Sequence, residues 1–192
     1  MASLKTIRVT ERAQSLITEV IRLGDIAIDA TAGKGRDTAF LAKSVGPQGH
    51  VHAFDVQSDA INATRDFLLS TGLNSNVTLH HRNHSEISDA LPPHHQQRAG
   101  VVIFNLGYLP GSDQKIITQP ASTMQALQTA RQQIRPGGRI ICVTYTGHSG
   151  GNDESNAILD FAVASEKLGY NIQKIGYIPA SNKPWIFVLT RT

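Results

Sequence analysis

A single cysteine, Cys142, stands in 192 residues, so no disulfide can close within the chain and a reducing cytoplasm is the expected setting. Tryptophan also occurs once, and aromatic residues make up only 6%. No apolar run approaches the roughly 20 residues that cross a bilayer, so no membrane partner is expected. Met1 to Arg12 is polar and lacks the apolar core of a signal peptide. No internal repeat and no low-complexity tract is present. Charge is sparse at 17% and nets only +3, which permits an RNA partner without demanding one. With 40% hydrophobic residues, the whole chain, 1–192, is expected to fold as one compact domain.

What is present is a pattern of strands and helices. Thr10–Arg22 carries apolar residues at helical spacing, with Thr10 as N-cap and Gly24 just past the end. Strands are predicted at Ile26–Ala30, His50–Asp55, Val77–His81, Val101–Asn105 and Arg139–Thr144. Helices are predicted at Thr38–Val45, Asp59–Thr71, Ser85–Leu91, Ala121–Ile134 and Asp153–Leu168. Such alternation implies a parallel sheet covered on both faces. Tyr170–Ile178 and Trp185–Thr190 are strand-like with no helix between them, and would close as an antiparallel hairpin at one end. The expected fold is α/β and Rossmann-like: a mostly parallel seven-stranded sheet, a C-terminal antiparallel hairpin, and helices on both faces.

The most telling stretch runs from Ile26 to Thr38. An apolar run ends in Asp29, passes through Gly33-Lys34-Gly35, and opens into a helix. Asp55 ends the next strand, twenty residues past Gly35. This is a nucleotide-binding β-α-β layout, in which glycines admit a ligand and the second acid grips ribose hydroxyls. A dinucleotide site wants a third glycine where Thr38 stands. Asp37, at the helix start, would also repel a pyrophosphate seated there. The same acids suit a ligand carrying a sulfonium and an α-ammonium group, as S-adenosylmethionine (SAM) does. Asp29, Gly33, Gly35 and Asp37 are therefore assigned to its methionine end and Asp55 to its ribose, with Ala30, Thr31, Thr38, Gln57 and Asn105 as further cofactor contacts. The alternative is a plain tight turn with Asp37 capping a helix.

After the third strand, Asn83, His84 or Ser85 lies where an adenine ring would bind, although a simple helix cap explains any one of them equally well. His80, His81, His94 and His95 read as exposed strand-end and loop residues. Their spacing matches no closed metal site, and no metal is assigned.

The fourth strand ends in Asn105-Leu106-Gly107-Tyr108, at the carboxyl end where chemistry occurs in open parallel sheets. The pattern Asn-x-x-Tyr echoes the Asn-Pro-Pro-Tyr motif of enzymes that methylate amino nitrogens. The Asn105 side chain and a neighbouring backbone carbonyl, that of Leu106, can accept hydrogen bonds from an amine and aim its lone pair. Tyr108 can stack on a planar base or face a cationic methyl. His148 is a candidate for helping to remove the amine proton. Tyr145 and His148 lie in a glycine-rich loop after the fifth strand and are expected to contact substrate. Pro184 and Trp185 are read as lying in the hairpin loop, where the tryptophan either stacks on a base or packs under the sheet.

The segments 29–38, 53–57, 104–111 and 145–148 occur together in order and resemble a small bacterial SAM-dependent family labelled rRNA methylases. The resemblance covers nearly the whole chain. It implies a tRNA methyltransferase that converts 5-aminomethyl-2-thiouridine at the wobble position (U34) to 5-methylaminomethyl-2-thiouridine, with S-adenosylhomocysteine as by-product. It also implies the tRNA anticodon arm as partner. A homodimer is attractive, because a chain this small has little surface to spare for RNA. The competing readings are an rRNA or small-molecule SAM-dependent methyltransferase and, from another class, an NAD-dependent oxidoreductase.

Overall fold

The computed structural model describes residues 8–107, 120–145, 151–176 and 184–192. Among these, strands β1 (Ile26–Asp29), β2 (His50–Asp55), β3 (Val77–His81), β4 (Ala99–Leu106), β5 (Ile134–Tyr145), β6 (Tyr170–Gly176) and β7 (Pro184–Arg191) form one sheet. Their order is β3-β2-β1-β4-β5-β7-β6. β1 to β5 pair in parallel, whereas β7 lies antiparallel between β5 and β6. The mostly parallel sheet with a terminal hairpin is as the sequence predicts.

Helices α1 (Val9–Thr18), α2 (Arg36–Val45), α3 (Ser58–Thr71), α4 (Ile87–Ala90), α5 (Pro120–Gln133) and α6 (Gly151–Glu166) connect and cover the strands. Alternation along each strand sorts the core into two layers. Ile28, Val102, Phe104, Cys142 and Phe187 share one layer with Leu127 of α5 and Ile158 and Ala162 of α6. Ala27, Val101, Ile103, Val143 and Val188 share the other with Ala13, Leu16 and Ile17 of α1 and Leu41, Ala42 and Val45 of α2. Burial on both faces is why β1 and β4 read as nearly unbroken apolar runs. Strand order reverses between β1 and β4, and the crevice at their carboxyl ends is where such sheets bind ligands.

Several boundaries differ from the sequence reading. α1 stops at Thr18; beyond it, the Ile21 amide turns back to the Ile17 carbonyl before Gly24, at φ +84°, leads into β1. Its N-cap is Arg8, not Thr10. The segment predicted as one helix over Ser85–Leu91 is instead a 3-10 turn, His84–Glu86, followed by the short α4. The Asn83 side chain caps that turn by accepting from the Ser85 amide at 2.9 Å. β5 begins at Ile134 rather than Arg139, already paired to Ala99 of β4, with a register shift before the pairing resumes at Val101 and Arg139.

The histidines need a further correction. His81 and His94 are exposed, but His80 and His95 are half-buried. The His52 ring bridges them, its Nδ1 lying 3.0 Å from His80 Nε2 and its Nε2 2.8 Å from His95 Nδ1. Pairing of β2 with β3 sets His52 and His80 on one face, and the 3-10 turn Pro93–His95 folds against them. Burial, then the neighbouring imidazoles, push His52 down to about 3, so the ring is neutral at physiological pH. Among the described residues no group of three His, Cys, Asp or Glu side chains is placed to hold a metal ion.

Candidate active site

The turn between β1 and α2 requires its glycines. Gly33 and Gly35 sit at φ +56° and +77°, a region closed to most side chains. A Cβ on Gly35 would also meet Thr64 Cα at 3.0 Å. The Thr64 hydroxyl in turn donates to the Gly33 carbonyl at 3.1 Å, tying the turn to α3.

Three carboxylates surround this turn. Asp29, the last residue of β1, is fully buried; it accepts from the Thr31 amide at 3.1 Å and from the Thr38 hydroxyl at 2.6 Å. Burial, followed by the charge of Asp37, lifts its pKa to about 7, with Asp55 adding to the rise and the Thr38 and Thr31 hydrogen bonds offsetting part of it. Asp55, at the tip of β2, accepts from the Gly33 amide at 3.0 Å and from the Gln57 amide at 2.9 Å. Asp37 stands in the first turn of α2, where the helix dipole favours a negative charge. None of the three is in an ion pair among the described residues. This unneutralised acidity is wrong for a pyrophosphate and right for a cation.

Ala30 braces the pocket through its backbone. Its amide donates to the Ile103 carbonyl at 2.9 Å, and its carbonyl is 3.2 Å from His84 Nδ1. A carbonyl can only accept, so Nδ1 carries the proton and Nε2 is left with a lone pair. That Nε2 is buried and has no partner among the described residues. Ser85 stands beside it with its amide committed to Asn83.

At the end of β4, the Asn105 amide donates to the Thr31 hydroxyl at 2.7 Å, joining the reaction strand to the glycine turn. Asn105 Nδ2 donates to Asp37 Oδ2 at 2.6 Å, and Gln14 Nε2 of α1 donates to Asp37 Oδ1 at 3.0 Å. Asn105 Oδ1 is buried and unpartnered among the described residues. The side chain of Leu106 is buried in the core on the opposite face, so only its backbone could serve a ligand. Tyr145 ends β5 on the Asn105 face, half-buried. Burial and the nearby charge of Asp37 hold its pKa above that of an ordinary phenol, so it stays neutral.

The strand register brings Pro184 beside Tyr145. Trp185 does not join them. It packs toward the α5–α6 layer, and Lys174 Nζ lies 4.3 Å from its ring centre. Tyr108 and His148 lie outside the described residues. Sequence reasoning missed Gln14, whose only signal is a polar residue between the apolar positions Ala13 and Leu16. It also missed that Thr31 and Thr38 serve by holding Asn105 and Asp29.

Known proteins resemble this chain in sequence and fold. A family model described as "Putative rRNA methylase" matches residues 51–191. An Arabidopsis thaliana protein named tRNA (mnm(5)s(2)U34)-methyltransferase, chloroplastic, is 40% identical over 163 residues, 80% of this chain. The match spans 58% of that relative's own length. A Clostridium thermocellum structure described as "putative rRNA-methylase" superposes with a TM-score of 0.92 at 33% identity, covering 98% of this chain and all of that one. A Streptococcus mutans protein described as "a putative methyltransferase", solved with S-adenosylhomocysteine, gives a TM-score of 0.82 at 31% identity, covering 96% and 98% of the two chains.

Proposed function

The chain belongs to the family described as "Putative rRNA methylase", and from that premise we propose that it is a SAM-dependent N-methyltransferase. Its acceptor is the aminomethyl group of 5-aminomethyl-2-thiouridine at the tRNA wobble position (U34), and its products are 5-methylaminomethyl-2-thiouridine and S-adenosylhomocysteine. The observation that carries the reading is Asn105 Oδ1, a buried acceptor without a partner among the described residues, at the carboxyl end of β4 beside an acidic pocket.

The residues present fit the cofactor. Asp55 lies where ribose hydroxyls would be held, and Gly33 and Gly35 leave room for close approach. Asp29, braced by Thr31 and Thr38, offers negative charge to the α-ammonium. The His84 Nε2 lone pair matches an adenine amino group, with Ser85 beside it. When bound, SAM supplies an electrophilic methyl group on a sulfonium. The chain's own task is to present a deprotonated amine to that carbon in line. Asn105 Oδ1 accepts one amine N–H, which turns the nitrogen lone pair toward the methyl. The methyl group that SAM would supply would pass to that nitrogen, leaving S-adenosylhomocysteine, and one amine proton would leave to solvent. Placement and exclusion of water carry the catalysis, and no covalent protein nucleophile is needed.

The relative named for tRNA supports an anticodon arm as partner. No helix among the described residues is long and apolar enough to cross a membrane. The reading places the enzyme in the cytoplasm with its RNA, and a homodimer would double the RNA-facing surface. The test is Asn105→Ala. It should abolish methylation of alkylamine-bearing tRNA while SAM affinity stays within about threefold of wild type. Wild-type turnover in that variant would overturn the reading.

A further inference from the structure

Asp37 presents both of its carboxylate oxygens to protein amides, Oδ1 to Gln14 and Oδ2 to Asn105. The 2.6 Å bond from Asn105 Nδ2 is short and charge-assisted. It has a directional consequence. An Asn side chain can rotate by half a turn and exchange its donor and acceptor ends. Here the flipped state would aim Oδ1 at a carboxylate, losing the bond and adding repulsion. Asp37 therefore fixes Asn105 with its acceptor end turned away, and that end is the buried Oδ1 that has no partner among the described residues. The Thr31 bond to the Asn105 backbone holds the residue but says nothing about the amide's sense.

We infer that Asp37 is a positioning residue for the methyl acceptor: through Asn105 it restricts the site to a group that donates N–H, an amine or ammonium. This rests on the amine-methylating function proposed above. It also moves Asp37 away from the cofactor's methionine end, where the glycine-turn motif had put it. An acceptor with no N–H, such as a ring carbon or a carbonyl oxygen, would leave Asn105 Oδ1 unsatisfied and face the Asp37 charge besides. Gln14 belongs to the same device. By engaging Oδ1 of Asp37 from α1, it keeps the carboxylate turned so that Oδ2 meets Asn105.

The test uses full-length protein, S-adenosylhomocysteine as binding probe, and tRNA carrying 5-aminomethyl-2-thiouridine. Asp37→Asn should lower kcat by about 10- to 100-fold and leave KM for tRNA and the S-adenosylhomocysteine Kd within about threefold. The reciprocal double variant Asp37→Asn/Asn105→Asp restores one donor facing one carboxylate. It should recover at least about tenfold of the lost kcat. Gln14→Ala, which leaves the pair intact, should lower kcat by a smaller factor at unchanged S-adenosylhomocysteine affinity; this second variant decides the matter if Asp37→Asn fails to fold. A loss of S-adenosylhomocysteine affinity above about tenfold in Asp37→Asn with kcat unchanged would overturn the inference, as would absence of any rescue in the double variant. Wild-type enzyme that never methylates the alkylamine would instead bring down the function on which the inference rests.

Discussion

The Thr38 hydroxyl donates a 2.6 Å hydrogen bond to Asp29 at the floor of the cofactor crevice, in a spot with no solvent exposure. Where a dinucleotide fold would place its third glycine, this chain has a side chain that holds an acid in place.

That acid should make cofactor affinity depend on pH. Asp29 is lifted from 3.8 to about 7, with burial the main cause. A cationic ligand favours the carboxylate, so below pH 7 binding must first remove a proton. Each pH unit below 7 should weaken SAM binding by up to about tenfold, and above 7 affinity should level off. The sign for stability follows from the same shift. Between about pH 4 and 7 the folded apoprotein keeps a proton that the unfolded chain has released, so Asp29's contribution to stability falls as pH rises through that window. Calorimetric titration at pH 5.5, 6.5 and 8 measures the binding effect, and Asp29→Asn should flatten it. A pH-independent Kd in wild type would refute it.

Replacing Gly35 should damage turn and cofactor site together. At φ +77°, with Thr64 Cα 3.0 Å from any added Cβ, Gly35→Ala carries both backbone strain and a clash. A loss of about 1–3 kcal/mol in stability is expected, with SAM affinity falling at least about tenfold. Denaturant unfolding and calorimetry read the two effects. A variant as stable as wild type would contradict the described turn.

The outer anchor of α1 is testable apart from the site. Arg135 grips Asp25 with two hydrogen bonds, of 3.0 and 2.7 Å, and also donates to the Val20 carbonyl, with both side chains largely buried. Arg135→Ala strands Asp25 and should cost about 2–4 kcal/mol. The double variant with Asp25→Ala should cost less than the sum of the singles, by about 1 kcal/mol or more. Additive losses in denaturant melts would show the pair to be uncoupled.

Much of this was legible in the chain. The alternation of apolar runs and helical spacing set the sheet, because strands buried on both faces and helices buried on one leave different periods. Asp29, Gly33, Gly35, Asp55 and Asn105 were readable since each closes a strand or makes a turn that backbone geometry demands. Other features depend on contacts between distant segments, which no local pattern records. Gln14 reaches Asp37 across 23 positions and Asn105 reaches it across 68. His80 looked exposed because its partners, His52 and His95, are brought to it only by strand pairing and a folded-back turn. The direction of the Trp185 ring depended likewise on the β5–β7 register.

The most direct test of the central claim is methylation of hypomodified tRNA with labelled SAM, followed by nucleoside analysis. The account predicts label in 5-methylaminomethyl-2-thiouridine, formed at the expense of 5-aminomethyl-2-thiouridine and lost with Asn105→Ala. Label on a ribose, on a ring carbon or only in ribosomal RNA would contradict it.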